Sequence, residues 1–212
     1  MADLEFFFDP VCPWAWITSR WVSEVQQLRD YEVQWRFISL AVLNDDLVAD
    51  WYTPSYRASH MAGLYSLRVC DAVRMSAGND AVALLYTALG TAFHNDQRRP
   101  EMTADGRKFM TALLHSAGLD PAFADEMDND VHDTFIRDET ALAVQRAGKD
   151  VGTPILTFKP GSAKEGSFFG PVISTIPRGD EAVRLWDAIE LIATSSGLAE
   201  LKRSNRSKPS FV

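Results

Sequence analysis

The chain has 212 residues, 46% of them hydrophobic and 24% charged, which suits a soluble globular protein with material for one domain carrying a large insertion or for two intimate subdomains. Its formal charge of -8 excludes phosphate-backbone binding as a main function, because that affinity comes from clustered Lys and Arg, so no nucleic-acid partner is expected. No run approaches the roughly 18 uninterrupted apolar residues of a membrane helix, the opening "MADLEFFFDP" lacks a secretory pattern, and two cysteines make no disulfide framework; the expectation is a cytoplasmic protein with reduced thiols, away from membranes.

"LEFFFD" (4 to 9) is short, aromatic and closed by Asp9 and Pro10, so it reads as a buried strand. Pro13 then opens a helix, since the amide that proline lacks would have no partner there, and Cys12 falls at or beside the N-cap. Trp14, Ile17, Trp21, Val25 and Leu28 recur every three or four residues, which predicts an apolar helix face ending near Asp30. "YEVQWRFISL" (31 to 40) alternates Val33, Trp35 and Phe37 with polar neighbours, the period of a strand with one buried face.

From about 45 to 149 the pattern turns helical, with amphipathic runs near 57 to 77, 80 to 94, 103 to 117 and 130 to 147, separated by "AGND", "RRPEMT" and "HSAGLDP". "TPILTF" (153 to 158) and "GSFFG" (166 to 170) restore strand chemistry. A closing helix over 179 to 197 places Leu185, Ile189 and Ile192 on one face. The expected organisation is an α/β domain from 1–44 and 150–203, an inserted helical domain over 45–149, and a solvated basic tail over 204–212.

The chemistry concentrates at Cys12. The thiolate, not the thiol, is the nucleophile, and unpaired amides with the positive end of the helix dipole stabilise an anion at a helix N-terminus. A packed, inert cysteine is the competing reading, and it suits Cys70 better, inside an amphipathic run beside Leu67 and Val73. Metal binding has little support: His60, His94, His115 and His132 are scattered and there is no Cys-X-X-Cys. No Gly-rich phosphate cradle follows a strand, so no tightly bound nucleotide or flavin is expected.

Cys12-Pro13-Trp14-Ala15 after a strand, the distant "VGTPILTF" and the helical block between them resemble the DsbA-like branch of the thioredoxin fold, a thioredoxin-like α/β fold with a large all-helical insertion. More narrowly, "FDPVCPWAWITSRW", "ISLAVLNDD", "FHND", "DVGTPILTF", "FFGPVISTIPRGDEAVRLWDA" and "ELKR" are similar to segments of the actinobacterial mycothiol-dependent nitroreductases. The resemblance implies Cys12 as catalytic nucleophile and Pro13, Trp14, Thr153 and Pro154 as the groups that hold a thiol cosubstrate, with a cis Thr153–Pro154 bond facing the cysteine. It implies mycothiol as that low-molecular-weight thiol and an electrophile or disulfide as second substrate. Trp16, Asn44, Tyr56 and His94 are pocket candidates; a core tryptophan, a turn-forming asparagine, a packed tyrosine and a helix-terminal histidine are the alternatives.

Ala15 departs from the dithiol pattern Cys-Pro-Trp-Cys of that family. A second cysteine would release a mixed disulfide by internal attack, and alanine cannot, so Cys12 would hold an adduct until an external thiol resolves it. Two other readings stay open. One is a thiol transferase or isomerase like the kappa-class glutathione transferases and hydroxychromene-carboxylate isomerases; the other is a catalytically degenerate scaffold that binds a ligand. Assembly is nearly silent in the sequence, although related folds often dimerise and a homodimer is compatible with the aromatic "DWYTPSY".

Overall fold

A computed structural model describes residues 2–149 and 151–211. Asp150, where the second thioredoxin-like segment is expected to begin, lies outside the described residues. The chain divides into two compact units, one of Met1–Phe8, Cys12–Arg36 and Ala143–Val212, the other of Asp9–Val11 and Phe37–Leu142.

The first unit is built on a four-stranded sheet of β1 (Leu4–Phe8), β2 (Val33–Phe37), β3 (Ile155–Phe158) and β4 (Gly166–Phe169), in the order β2-β1-β3-β4. β1 and β3 are antiparallel, with Leu4 opposite Phe158 and Phe7 opposite Ile155; β3 and β4 are antiparallel, with Ile155 opposite Phe169. All of β1 is buried, as expected of a central strand covered on both faces. Trp35 of β2 packs on Phe6 at 5.1 Å and on Phe8 at 6.3 Å between ring centroids. On the alternate face Glu5 accepts Arg36 Nη1 at 2.6 Å and also Arg146, so a carboxylate only 6% exposed is met by two guanidinium groups.

Helices α1 (Pro13–Leu28) and α7 (Gly179–Ala193) pack together beside this sheet. Ile17, Trp21 and Val25 of α1 are buried as their spacing predicts, whereas Leu28, at the last residue, is exposed. In α7 the inward side centres on Ala182 and Trp186, while Leu185, Ile189 and Ile192 are half-buried. Trp186 is the reason: its ring sits within 5.4 Å of Trp21, 4.6 Å of Tyr31 and 5.3 Å of Phe158, and Trp21 Nε1 donates to the Ala182 carbonyl at 2.9 Å. A wedge of this size fixes which face turns inward.

The second unit holds α2 (Leu40–Leu43), α3 (Pro54–Gly90), α4 (Arg99–Ala104), α5 (Gly106–Ser116) and most of α6 (Asp133–Ala147). The break expected at "AGND" is Gly78, whose φ of 81° and ψ of -171° interrupt α3; glycine adopts this left-handed φ without a Cβ penalty. The "RRPEMT" segment, expected to separate helices, is itself the short α4, because Pro100 falls where the missing amide needs no partner. Asp105 then caps α5 through its side chain on Lys108 N. Between α5 and α6 run two 3₁₀ stretches, Pro121–Asp128 and Asp130–His132. His132 lies between carboxylates here, with Nδ1 2.8 Å from Asp71 and Nε2 3.1 Å from Glu126. Among the described residues no helix is long and apolar enough to cross a membrane.

Candidate active site

Cys12 is the N-cap of α1: its backbone is extended (φ -80°, ψ 114°) and its sulfur accepts the Ala15 amide at 3.5 Å. On the other side the thiol donates to the Thr153 carbonyl at 3.4 Å. One sulfur therefore has an amide donor that favours its anion and a carbonyl acceptor that favours its protonated form. Cys12 is 6% exposed. Pro13 and Trp14 are half-buried at the mouth of the helix.

The structure brings Thr153 to Cys12 across 141 residues of sequence, and two bonds hold it there. Thr153 Oγ1 donates to the Phe7 carbonyl at 3.2 Å, and Gly170 N donates to the Pro154 carbonyl at 2.8 Å. The Thr153–Pro154 peptide bond is cis. Trp16, two residues past Trp14, points into the core at 3% exposure, with the Arg20 guanidinium 4.1 Å from its ring centroid.

The remaining sequence candidates belong to the helical unit. Asn44 closes α2, where its Nδ2 donates to the Leu40 carbonyl at 2.8 Å. Tyr56, in the first turn of α3, is 54% exposed and meets Trp51 and His60 edge-on at 6.1 and 5.9 Å. His94 is buried in a π-helical turn, Thr91–Asn95, and its Nε2 bonds the Pro10 carbonyl at 2.9 Å. Desolvation lowers the His94 pKa to about 4, so the ring is neutral at neutral pH and that contact is an N–H donating to Pro10.

Asp9 and Arg99 carry structure that sequence reasoning passed over. Asp9 is fully buried; its Oδ1 accepts Val11 N at 3.0 Å and its Oδ2 accepts Leu40 N at 2.8 Å. Burial raises its pKa to about 6 against the two amides and the Arg99 charge. Gly63 of α3 passes directly beside it: a Cβ there would overlap Asp9 Oδ1 and lie 3.0 Å from Cγ and Oδ2. Arg99 Nη2 donates to the Val11 carbonyl at 3.0 Å and Nη1 to Ser59 Oγ at 2.9 Å. The signal for Asp9 was an Asp-Pro pair three residues before the cysteine, a common turn. Arg99 gave none, since its partner is a backbone carbonyl 88 residues away. Cys70 is fully buried in α3, and burial pushes its thiol pKa well above the ordinary value, so it is a packing residue.

The family model described as mycothiol-dependent nitroreductase Rv2466c matches residues 11–203. The chain is 30% identical over 205 residues to the uncharacterized protein Rv2286c of Mycobacterium tuberculosis, covering 96% of this chain and 82% of that one. Among solved structures it is similar to the probable DsbA oxidoreductase SCO1869 from Streptomyces coelicolor (TM-score 0.57, 16% identity, 96% of this chain and 94% of that one). It is also similar to the cytosolic disulfide reductase DsbM from Pseudomonas aeruginosa, solved with GSH (TM-score 0.56, 16% identity, 89% and 99%). These neighbours share the thioredoxin fold with its helical insertion. The chain belongs to the Rv2466c-like family of mycothiol-dependent nitroreductases and is a thiol-dependent oxidoreductase of DsbA-like fold.

Proposed function

We propose that the chain runs a single-cysteine redox cycle in which Cys12 attacks as thiolate and a small thiol, mycothiol, supplies both reducing equivalents. The observation that carries this reading is the Cys12 sulfur at a helix N-cap, with the Ala15 amide aimed at it and the Thr153 carbonyl opposite. With an electrophilic acceptor, the Cys12 thiolate adds to the acceptor, which takes up one proton. A first thiol then attacks the Cys12 sulfur, releasing the reduced acceptor with its second proton and leaving a mixed disulfide. A second thiol attacks that disulfide and restores Cys12, so that two thiols become one disulfide as the acceptor gains two electrons and two protons. With a disulfide substrate, the cycle is the exchange half alone.

Ala15 makes both resolving steps intermolecular. Thr153 and Pro154 position the thiol cosubstrate, and Pro13 with Trp14 form the face it approaches. Tyr56 and Asn44 are acceptor-contact candidates on the family resemblance, whereas Trp16 and His94 act through packing and loop support. Intact-protein mass spectrometry after exposure to glutathione disulfide or oxidised mycothiol tests the reading. One thiol per chain, mapped to Cys12 and removed by excess thiol, is expected; an unmodified Cys12 whose protein still conjugates a thiol to an electrophile would replace redox exchange with group transfer.

A further inference from the structure

We propose that Arg99 is a positioning residue for Cys12, setting the reactivity of its sulfur through the peptide group that joins Val11 to Cys12. The inference rests on the reading of Cys12 as nucleophile. Arg99 Nη2 donates to the Val11 carbonyl at 3.0 Å, and the nitrogen of that same peptide group is the backbone N of the N-cap cysteine. Ser59 Oγ holds the other arm of the guanidinium at 2.9 Å. A charged donor on a carbonyl polarises the amide across the peptide bond, and it fixes the plane from which Cys12 enters the helix.

The preceding peptide is held in the same way. His94 donates to the Pro10 carbonyl, and the N–H of that peptide, on Val11, donates to Asp9 Oδ1. Thus the segment Asp9–Pro10–Val11 is pinned on its carboxylate, on the Pro10 and Val11 carbonyls and on the Val11 amide before the chain reaches the sulfur. The π-helical turn aims these pins: its wider coil seats His94 inward, Gln97 follows at a φ of 57° with its Nε2 on the His94 carbonyl at 2.6 Å, and Arg99 then opens α4 facing the same loop.

The pins differ in charge. His94 is neutral, whereas Arg99 carries a full positive charge; burial dominates the shifts of Asp9, His60 and His94, and that charge opposes the rise at Asp9 and adds to the fall at both histidines. The same charge is bonded to the carbonyl of the peptide group that Cys12 N completes, and a cation favours a thiolate over a thiol.

The test is the pH profile of Cys12 alkylation by iodoacetamide between pH 5 and 9, followed by peptide mapping, in the full chain and in the variants Arg99→Met and Arg99→Lys. Cys70, fully buried, stays unmodified while the protein is folded and so reports the fold in the same experiment. Arg99→Met is expected to slow Cys12 alkylation at pH 7 by about 5- to 10-fold and to move the midpoint upward by about one pH unit, with Cys70 protected. Arg99→Lys, which keeps the charge, is expected within about threefold of the parent. An Arg99→Met profile superimposed on the parent's, even with a lowered melting temperature, overturns the inference and leaves Arg99 a structural anchor. Should Arg99→Met expose Cys70, Arg99→Lys decides: a folded protein whose midpoint moves by a full unit overturns the role of the charge, and a smaller shift upholds it. A parent midpoint at the ordinary thiol value of about 8.5 fails the reading of Cys12 itself, which is a separate result from the absence of a difference between parent and variant.

Discussion

Replacing Gly63 by alanine sets two effects of opposite sign against each other. Gly63 lies inside α3, where alanine favours the helix over glycine by about 1 kcal/mol. The added Cβ, however, would fall on the Asp9 carboxyl group, in overlap with Oδ1 and 3.0 Å from Cγ and Oδ2. Asp9 is fully buried and pinned by Val11 N and Leu40 N, so it has no solvent into which to swing. Relieving the overlap moves Oδ1 off Val11 N, and a hydrogen bond to a charged acceptor contributes about 1.5–3 kcal/mol, with a further loss when the second amide follows. The balance is a net destabilisation of about 2–4 kcal/mol, read as a lower urea midpoint at pH 7 with an unchanged m-value. In an Asp9→Ala background the clash disappears, and Gly63→Ala is then expected to be neutral or stabilising, giving a large coupling in the double-mutant cycle. A single variant as stable as the parent or more so, or a cycle without coupling, would refute the reasoning that Gly63 exists to admit Asp9.

Four further outcomes follow from the same geometry. Asp9, raised to about 6 by burial, contributes stability that is present below its unfolded value of 3.8 and lost as pH rises through about 6; His94, lowered to about 4, contributes stability that is present above 6.5 and lost as pH falls through about 4. The two slopes oppose each other between pH 4 and 6, so Asp9→Asn is expected to become acid-labile there and His94→Gln to gain stability on acidification, each by about 2–3 kcal/mol in urea titrations across pH. Ala15→Cys restores an internal resolving thiol, and the Cys12 mixed disulfide seen by mass spectrometry should then fail to accumulate. Cys12→Ser should abolish adduct formation and thiol-dependent reduction while leaving thermal unfolding within a few degrees of the parent. His132→Ala leaves the buried Asp71 without one of its partners and should cost about 2–3 kcal/mol in urea unfolding, with Cys12 alkylation unchanged.

The sequence made the first 40 residues legible because their signals are local. A proline at the first helical position, apolar residues every three or four places at Ile17, Trp21 and Val25, and the alternation of Val33, Trp35 and Phe37 depend on near neighbours only. In α7 the face of Leu185, Ile189 and Ile192 was legible but its anchor was not, because the deciding contact is between Trp186 and three rings from other elements. The separator expected at "RRPEMT" turned out helical because proline and arginine carry both meanings, and only Asp105 and its cap on Lys108 N distinguish them. Cys12 and Thr153 were legible as a pair through family resemblance alone. Asp9, His94 and Arg99 act largely on backbone groups of distant or turn residues, and backbone partners leave no trace in a sequence pattern.

The carbonyl of Thr153 opposite Cys12 has a consequence for the covalent state. A sulfur locked in a disulfide has no hydrogen to offer, so the Thr153 oxygen 3.4 Å away would face it lone pair to lone pair. The Ala15 amide, for its part, gives most to a departing anion and little to a neutral adduct. The resting thiol and the leaving thiolate are thus each solvated by one wall of the site, and the adduct between them by neither. In the proposed single-cysteine cycle these two groups favour discharge, so that an incoming thiol would do from solution what a neighbouring cysteine does in a dithiol enzyme.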